Sequence, residues 1–485
     1  MPSSAVQPII PGFYPDPTIC RVGDDYYLAN SSFEYFPGAP LWHSRDLVTW
    51  ERVGNILTSR EQFVEGASRP SNGIYGSTLR HHDGLFYFIT TNLSDYGAGQ
   101  LIVTASDPAG PWSAPVWVPQ ALGIDPDLAW DDDGVCLLTW HYLDFETGEQ
   151  DIRQAPIDTA TGMFLEPAVP VWQGSGLAAA EGPHLYRIGR WWYLVLAEGG
   201  TERGHCVTVA RSLSPRGPFE GCPANPVFTK RSTVEPVQSV GHADLVRTPA
   251  GEWAAVYLGT RPRGSTPGFH VLGRETFVAG IEWRDDWPVF VDDAWEVEEP
   301  STAHATHFSE PDWDAHWVVP EGVLPAAGRG LVSLEPDRYL CTRVTDFLWT
   351  ADAVVAGEGG LEVRMDRRHA YGVTVRDGLA RAFVRIGGIE AEVGRADVAP
   401  GDVTVRIAAV DPGRATVPLS DAGPDDIVLS VASESQEVSL ARIDGRYLST
   451  EVAAGFTGRM LALGAAGHSS RVRAFSYQPS RDLRS

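Results

Sequence analysis

The stretch Asp83-Gly84-Leu85-Phe86-Tyr87-Phe88-Ile89 is a tight turn that runs straight into an aromatic and β-branched segment. An acidic residue and a glycine at the turn, then alternation-ready bulky residues, read as the entry to a buried β-strand. The phrase recurs outward in both directions. Upstream, Gly23 precedes Asp25-Tyr26-Tyr27-Leu28. Downstream, Gly134 precedes Val135-Cys136-Leu137-Leu138, Gly189 precedes Arg190-Trp191-Trp192-Tyr193-Leu194, and Gly251 precedes Glu252-Trp253-Ala254-Ala255-Val256. The five glycines are 61, 50, 55 and 62 residues apart, and helical periodicity is almost absent around them.

Repeats of this length built from short strands have the size of propeller blades. Five of them predict an all-β fold whose N-terminal domain, residues 1–300, is a five-bladed β-propeller. Ser44–Trp50, Asp107–Trp112 and Pro215–Phe219 fit as turns before outer strands. If each turn glycine follows the innermost strand of a blade, the residues seven to nine positions before it point to the axis. Counting back gives Asp16, Tyr75-Gly76-Ser77, Asp125, Glu181 and His242. Three carboxylates and a histidine at one height would be a costly place for charge without a use. The plainer reading of each is a turn or cap carboxylate ahead of a glycine.

From about residue 305 the character changes. Gly360–Met365, Tyr371–Arg376 and, after Asp377-Gly378, Leu379–Ile386 alternate apolar and polar residues. Short alternating strands predict a β-sandwich over residues 305–485. The Pro- and acid-rich stretch Glu296–Asp314 is the expected linker.

With 38 basic and 63 acidic residues the chain carries a net charge of −25, which repels phosphate backbones and anionic headgroups. Nucleic acid and membrane are therefore not expected as partners, and no apolar run approaches a membrane span. Cys20, Cys136, Cys206, Cys222 and Cys341 are scattered without metal-ligand spacing. Together with an N-terminus lacking basic and apolar signal regions, they predict a cytoplasmic location. Oligomeric state is left open, a homo-oligomer included.

Paired carboxylates on facing strands suit hydrolysis of a glycosidic bond, where one carboxyl protonates the leaving oxygen and another activates water or attacks carbon. A third carboxylate beside the acid would raise its pKa. Pro11–Pro17 and Ser31–Gly38 resemble the opening of glycoside hydrolase family 43. Gly123–Pro126, Glu181–Tyr186, Ala197–Thr201, Gly241–Asp244 and Leu272–Thr276 are similar to further motifs of that family, in order. The resemblance covers nearly the whole chain, and its C-terminal part resembles the concanavalin-like β-sandwich appended to β-xylosidases.

The resemblance implies Asp16 as general base, Glu181 as general acid, and Asp125 as the residue that orients the acid and raises its pKa, with inversion at the reacting carbon. It places Phe33, Tyr75, Thr201, Arg274 and Phe456 at the sugar. Phe33 and Phe456 can equally be core residues, Thr201 a strand threonine, and Arg274 the partner of Glu275. Relatives commonly carry Trp-Ala-Pro where this chain has Tyr75-Gly76-Ser77, which leaves the preferred sugar open. His242 is read either as a ligand of a largely hydrated calcium ion or as a hydrogen-bonded inner-strand histidine. No cofactor is required by the chemistry.

The first reading is an exo-acting β-D-xylosidase on xylo-oligosaccharides. The alternative is an α-L-arabinofuranosidase. A fructan-cleaving hydrolase lacks its opening motif here, and a non-catalytic carbohydrate-binding propeller would not need the carboxylate set.

Overall fold

The computed structural model describes residues 6–63, 69–309, 313–413, 421–432 and 437–480. Met1–Ala5 of the N-terminal stretch and residues 310–312 of the expected linker lie outside the described residues. The described structure is almost wholly β. No helix in it is long and apolar enough to cross a membrane.

The chain forms two compact units. One comprises Met1–Ile10, Tyr14–Thr260 and Glu275–Pro300; the other comprises Pro11–Phe13, Arg261–Arg274 and Ser301–Ser485.

The first unit holds five antiparallel sheets in chain order, four of four strands and the third of five. Their first strands are Thr18–Val22, Ile74–His82, Ile124–Trp130, Glu181–Ile188 and Gln238–Arg247. Each is followed by its turn glycine and then by the strand that the aromatic phrase announces: Asp25–Ala29, Leu85–Asn92, Cys136–Leu143, Trp191–Glu198 and Trp253–Thr260. The glycines are needed for backbone reasons. Gly23, Gly84, Gly134, Gly189 and Gly251 all have positive φ, between 61° and 95°, a region other residues enter only at a cost.

The first strands touch in a closed cycle. Sheet one's packs beside sheet two's, two beside three, three beside four, four beside five, and five again beside one. Apolar seams fill the gaps. Ile89 and Ile102 of sheet two meet Leu128, Leu138 and Trp140 of sheet three. Leu137 and Ile152 meet Leu185, Leu194 and Leu196 of sheet four. Val195, Val207 and Val209 meet Val240, Tyr257 and Phe277 of sheet five. Ile19, Tyr26 and Leu28 of sheet one meet Val246, Val256 and Val278, which closes the cycle. Each such side chain stabilises the fold by about 1.5–3 kcal/mol relative to exposure.

The second unit contains an eight-stranded and a six-stranded antiparallel sheet. The predicted alternating segments appear as Gly359–Arg364, His369–Arg376 and Leu379–Ile386, adjacent in the six-stranded sheet. Asp377 and Gly378 turn the last two with φ of 51° and 73°, the left-handed pair that a two-residue hairpin prefers. Part of the expected linker is ordered structure instead. His304–Thr306 is a strand that pairs with Ser470–Pro479, because its residues find unpaired ladder positions opposite Phe475 to Tyr477.

Candidate active site

The first strands of the first unit change conformation at one common level. Asp16 (φ 50°), Asp125 (55°), Gly182 (58°) and His242 (49°) all lie in the left-handed region. The ladders to the second strands shift register there too, between Ile74 and Ser77, Glu181 and His184, and Gly241 and Asp244. A non-glycine residue held left-handed costs about 1–3 kcal/mol, and such strain together with bulges gathers where side chains must be re-aimed.

The re-aimed side chains converge. His242 Nδ1 lies 3.4 Å from Asp16 Oδ1, and Ser31 Oγ donates to Asp16 Oδ2 at 2.6 Å. Gly182 N donates to Asp125 Oδ2 at 3.2 Å. That amide belongs to the residue after Glu181, so Asp125 is tied to the strand that starts with Glu181. Gly76 completes the circle: a Cβ there would stand 2.3 Å from Asp125 Oδ1 and 2.9 Å from His242 Cε1, so any side chain would displace both. Asp16, Asp125 and His242 are buried, and Glu181 is half-buried.

Burial pushes the Asp125 carboxyl above its ordinary pKa, and the Asp16 carboxylate adds to the rise. His242, His141 and the Gly182 amide oppose it. Burial holds the His141 imidazole below its usual value, so His141 is biased to the neutral form beside Asp125. The level thus gathers carboxyl groups of unequal environment, the condition for dividing acid and base roles.

Phe33 is buried and its ring meets the edge of Tyr75 at 5.0 Å, while the Tyr75 hydroxyl donates to Ser71 O at 2.9 Å. Thr201 is half-buried in the turn after the strand Trp191–Glu198. Arg274 and Phe456 belong to the second unit, where the guanidinium carbon stands 5.6 Å from the ring centroid. Arg274 is buried and Phe456 is 37 % exposed. Among the described residues no cluster of three or more His, Cys, Asp or Glu is arranged to hold a metal ion. Calcium takes six to eight oxygen ligands. The side chains at His242 do not by themselves form such a cage.

Sequence reading missed a second level two residues along the same strands. There Arg80 Nη1 bonds Asp244 Oδ2 and Nη2 bonds Asp127 Oδ1, both at 2.8 Å, and both carboxylates are fully buried. Thr18 Oγ1 and Ile19 N donate to Asp244 Oδ2 at 2.7 and 2.9 Å, and the Tyr186 hydroxyl donates to Asp244 Oδ1. Leu185 N donates to Asp127 Oδ2 at 2.9 Å, and His184 Nδ1 lies 3.2 Å from Asp127 Oδ1. Burial alone would raise the Asp244 carboxyl, but Arg80, then His184, then the hydrogen bonds from Arg80 and Tyr186, hold it well below the usual range. The signal was available: adding two to Asp16, Gly76, Asp125, Gly182 and His242 gives Thr18, Thr78, Asp127, His184 and Asp244, the period of one strand face.

Known proteins resemble this chain closely enough to give its family. The profile of glycosyl hydrolases family 43 matches residues 5–288. A xylosidase/arabinosidase of Butyrivibrio fibrisolvens is 45 % identical over 295 residues, which is 59 % of this chain but only 56 % of that protein. A non-reducing end α-L-arabinofuranosidase of Bacteroides ovatus is 35 % identical over 95 % of this chain and 91 % of its own length. Among solved structures, a xylan β-1,4-xylosidase from Bacillus halodurans superimposes with a TM-score of 0.85 at 27 % identity, covering 98 % of this chain and all of the other. On the profile and the full-length relative together, this chain belongs to glycosyl hydrolases family 43 and is a glycoside hydrolase.

Proposed function

We propose that the protein is an inverting exo-glycosidase that releases single pentose units, β-D-xylose first, from the non-reducing ends of short oligosaccharides. In this reading the first unit, broadly residues 1–300, is a five-bladed β-propeller and residues 305–485 form a β-sandwich. The closed cycle of five first strands and the two large antiparallel sheets support that architecture. A cytoplasmic location belongs to the same proposal, supported by five cysteines that are all buried free thiols.

The observation that carries the catalytic reading is the common left-handed level that brings Asp16, Asp125 and His242 together beside Glu181. Asp16 acts as general base. Ser31 fixes one of its oxygens and the His242 ring borders the other, so the lone pair that receives the proton of water has a defined direction. Glu181 acts as general acid. Asp125 is tied to the strand of Glu181 by the Gly182 amide, and in this reading it orients the acid and raises its pKa. Water is deprotonated as it attacks the anomeric carbon, the glycosidic oxygen leaves with the proton of Glu181, and no covalent intermediate forms. Phe33 and Tyr75 supply aromatic surface at this end of the strands. A calcium ion at His242 would bring most of its ligands as water, and no step depends on it.

An α-L-arabinofuranosidase is the second reading. The full-length Bacteroides ovatus relative, which carries that name, favours it.

Hydrolysis of p-nitrophenyl β-D-xylopyranoside and p-nitrophenyl α-L-arabinofuranoside separates the two. Wild type should prefer the xyloside, and Glu181→Ala and Asp16→Ala should each lower kcat about 10²–10⁴-fold. Preference for the arabinofuranoside would move the assignment to the second reading. Full activity in either variant would remove that residue from the mechanism. Arg274→Ala, assayed alongside, reports whether that guanidinium serves hydrolysis at all.

A further inference from the structure

The first strands have two ends, and the far end is also chemically unusual. Five or six residues beyond Asp16, Asp125, Glu181 and His242 stand Arg21, Trp130, Arg187 and Arg247. At about 3.3 Å per residue, that places a second mouth roughly 17–20 Å from the carboxylates. It is a hollow of about 410 Å³ whose wall includes Arg21, Arg187, Arg247, Trp130, Trp192 and Trp253.

Two features mark it as more than a solvated rim. The first is unbalanced charge. In a chain of net charge −25, neither Arg21 nor Arg247 forms an ion pair among the described residues, and Arg187 reaches only Asp132, at 3.7 Å. The guanidinium groups are held instead by backbone carbonyls. Arg21 Nε donates to Arg247 O at 2.6 Å, Arg187 Nη1 to Arg190 O at 2.7 Å, and Arg247 Nε to Gly251 O at 3.3 Å. Such bonds fix their positions without neutralising them. The second feature is the aromatic wall. His82 stacks on Trp130 at 4.2 Å with rings 10° apart, and Tyr87 meets the same indole at 5.1 Å with rings 60° apart, which together fix it in the wall. Fixed indoles in the wall of a hollow suit the apolar face of a sugar ring, and fixed guanidinium groups suit an anion.

We infer that this second mouth binds a small sugar carrying an anionic group, either a carboxylate or a phosphate. The site is independent of the catalytic assignment above.

Isothermal titration of the full chain with D-glucuronate, α-D-glucose 1-phosphate, D-glucose and inorganic phosphate tests it. At least one of the two anionic sugars should bind ten times or more tighter than both glucose and phosphate. Which one binds identifies the anion. Affinity should fall as salt is raised, a measurement made on wild type alone. Arg21→Gln/Arg247→Gln should weaken binding at least tenfold, whereas Asp16→Asn should not change it. Equal binding of phosphate or of glucose, no binding of either anionic sugar, or loss with Asp16→Asn instead of the arginine pair would each overturn the inference.

Discussion

Two levels of the same five strands, two residues apart, are built on opposite terms. At the level of Asp16, Asp125 and His242 the backbone is left-handed, the ladders slip, and the Asp125 carboxyl is pushed above its ordinary pKa. At the level of Arg80, Asp127 and Asp244 the buried charges are paired, and the Asp244 carboxyl is held far below its ordinary pKa. One level stores backbone strain; the next binds the strands together. A strained level needs such a neighbour, because strained residues hold their places only when the surrounding structure over-determines them.

The sharpest way to break the comparison is Arg80→Met. It leaves two buried carboxylates without their guanidinium and with only the His184 ring beside them, and removing one partner of a buried pair costs about 3–5 kcal/mol. The variant should unfold at markedly lower urea, and a loss under 1 kcal/mol would mean that the lower level does not brace the strands.

Acid should act on the same level. The Asp244 carboxyl has a native pKa below its unfolded value, about 3.9. Its contribution is therefore present above pH 4 and lost as pH falls below it. Wild-type melting temperature should drop between pH 5 and pH 3 more steeply than that of Asp244→Asn, measured in one buffer series. Parallel curves would show that Asp244 is not the titrating group.

The upper level should respond with the opposite sign. Asp125→Gly relieves a left-handed backbone and removes a carboxylate that burial disfavours. It should gain about 1–2 kcal/mol of stability while losing hydrolysis. Because the native pKa of Asp125 is raised, the gain should grow as pH rises above its unfolded value, about 3.9. A destabilised Asp125→Gly would contradict the picture of stored strain.

The smallest effect expected is at Ser31→Ala. The Oγ bond to Asp16 is worth about 0.5–1.5 kcal/mol, so kcat should fall up to roughly tenfold, with the acidic limb of the pH–rate profile shifted upward. An unshifted profile would make Ser31 a packing residue only.

Much of this was readable before any coordinates. The turn glycines must be glycines, so they reveal the hairpins. Counting back from them lands on Asp16, Gly76, Asp125, Glu181 and His242, because this level stands seven to nine positions before the turn glycine in all five sheets, although the first strands run from 5 to 10 residues. The lower level was half legible: adding two positions reaches Asp127 and Asp244 but not Arg80, which holds them. Leu79-Arg80-His81-His82 looks like the wet end of a strand until four other strands surround it, and Asp127 and Asp244 look like ordinary polar alternation. Arg274 and Phe456 were singled out by likeness to a family, and the structure groups both with the second unit. The strand His304–Thr306 was hidden in a Pro- and acid-rich stretch because its pairing partner lies more than 160 residues further on.

The cycle of first strands has a consequence in time. Each of the five sheets uses only neighbouring segments of chain, so each can form as soon as its own strands leave the ribosome. Closure cannot. Thr18 waits for Asp244, 226 residues later, which at a synthesis rate of 5–20 residues per second is roughly 10–45 s. Until then the strand bearing Asp16 has one flank uncovered and no His242 beside it. The nascent protein therefore carries four formed sheets and an incomplete level around Asp16, which closes only with the last first strand, when the two ends of the unit meet.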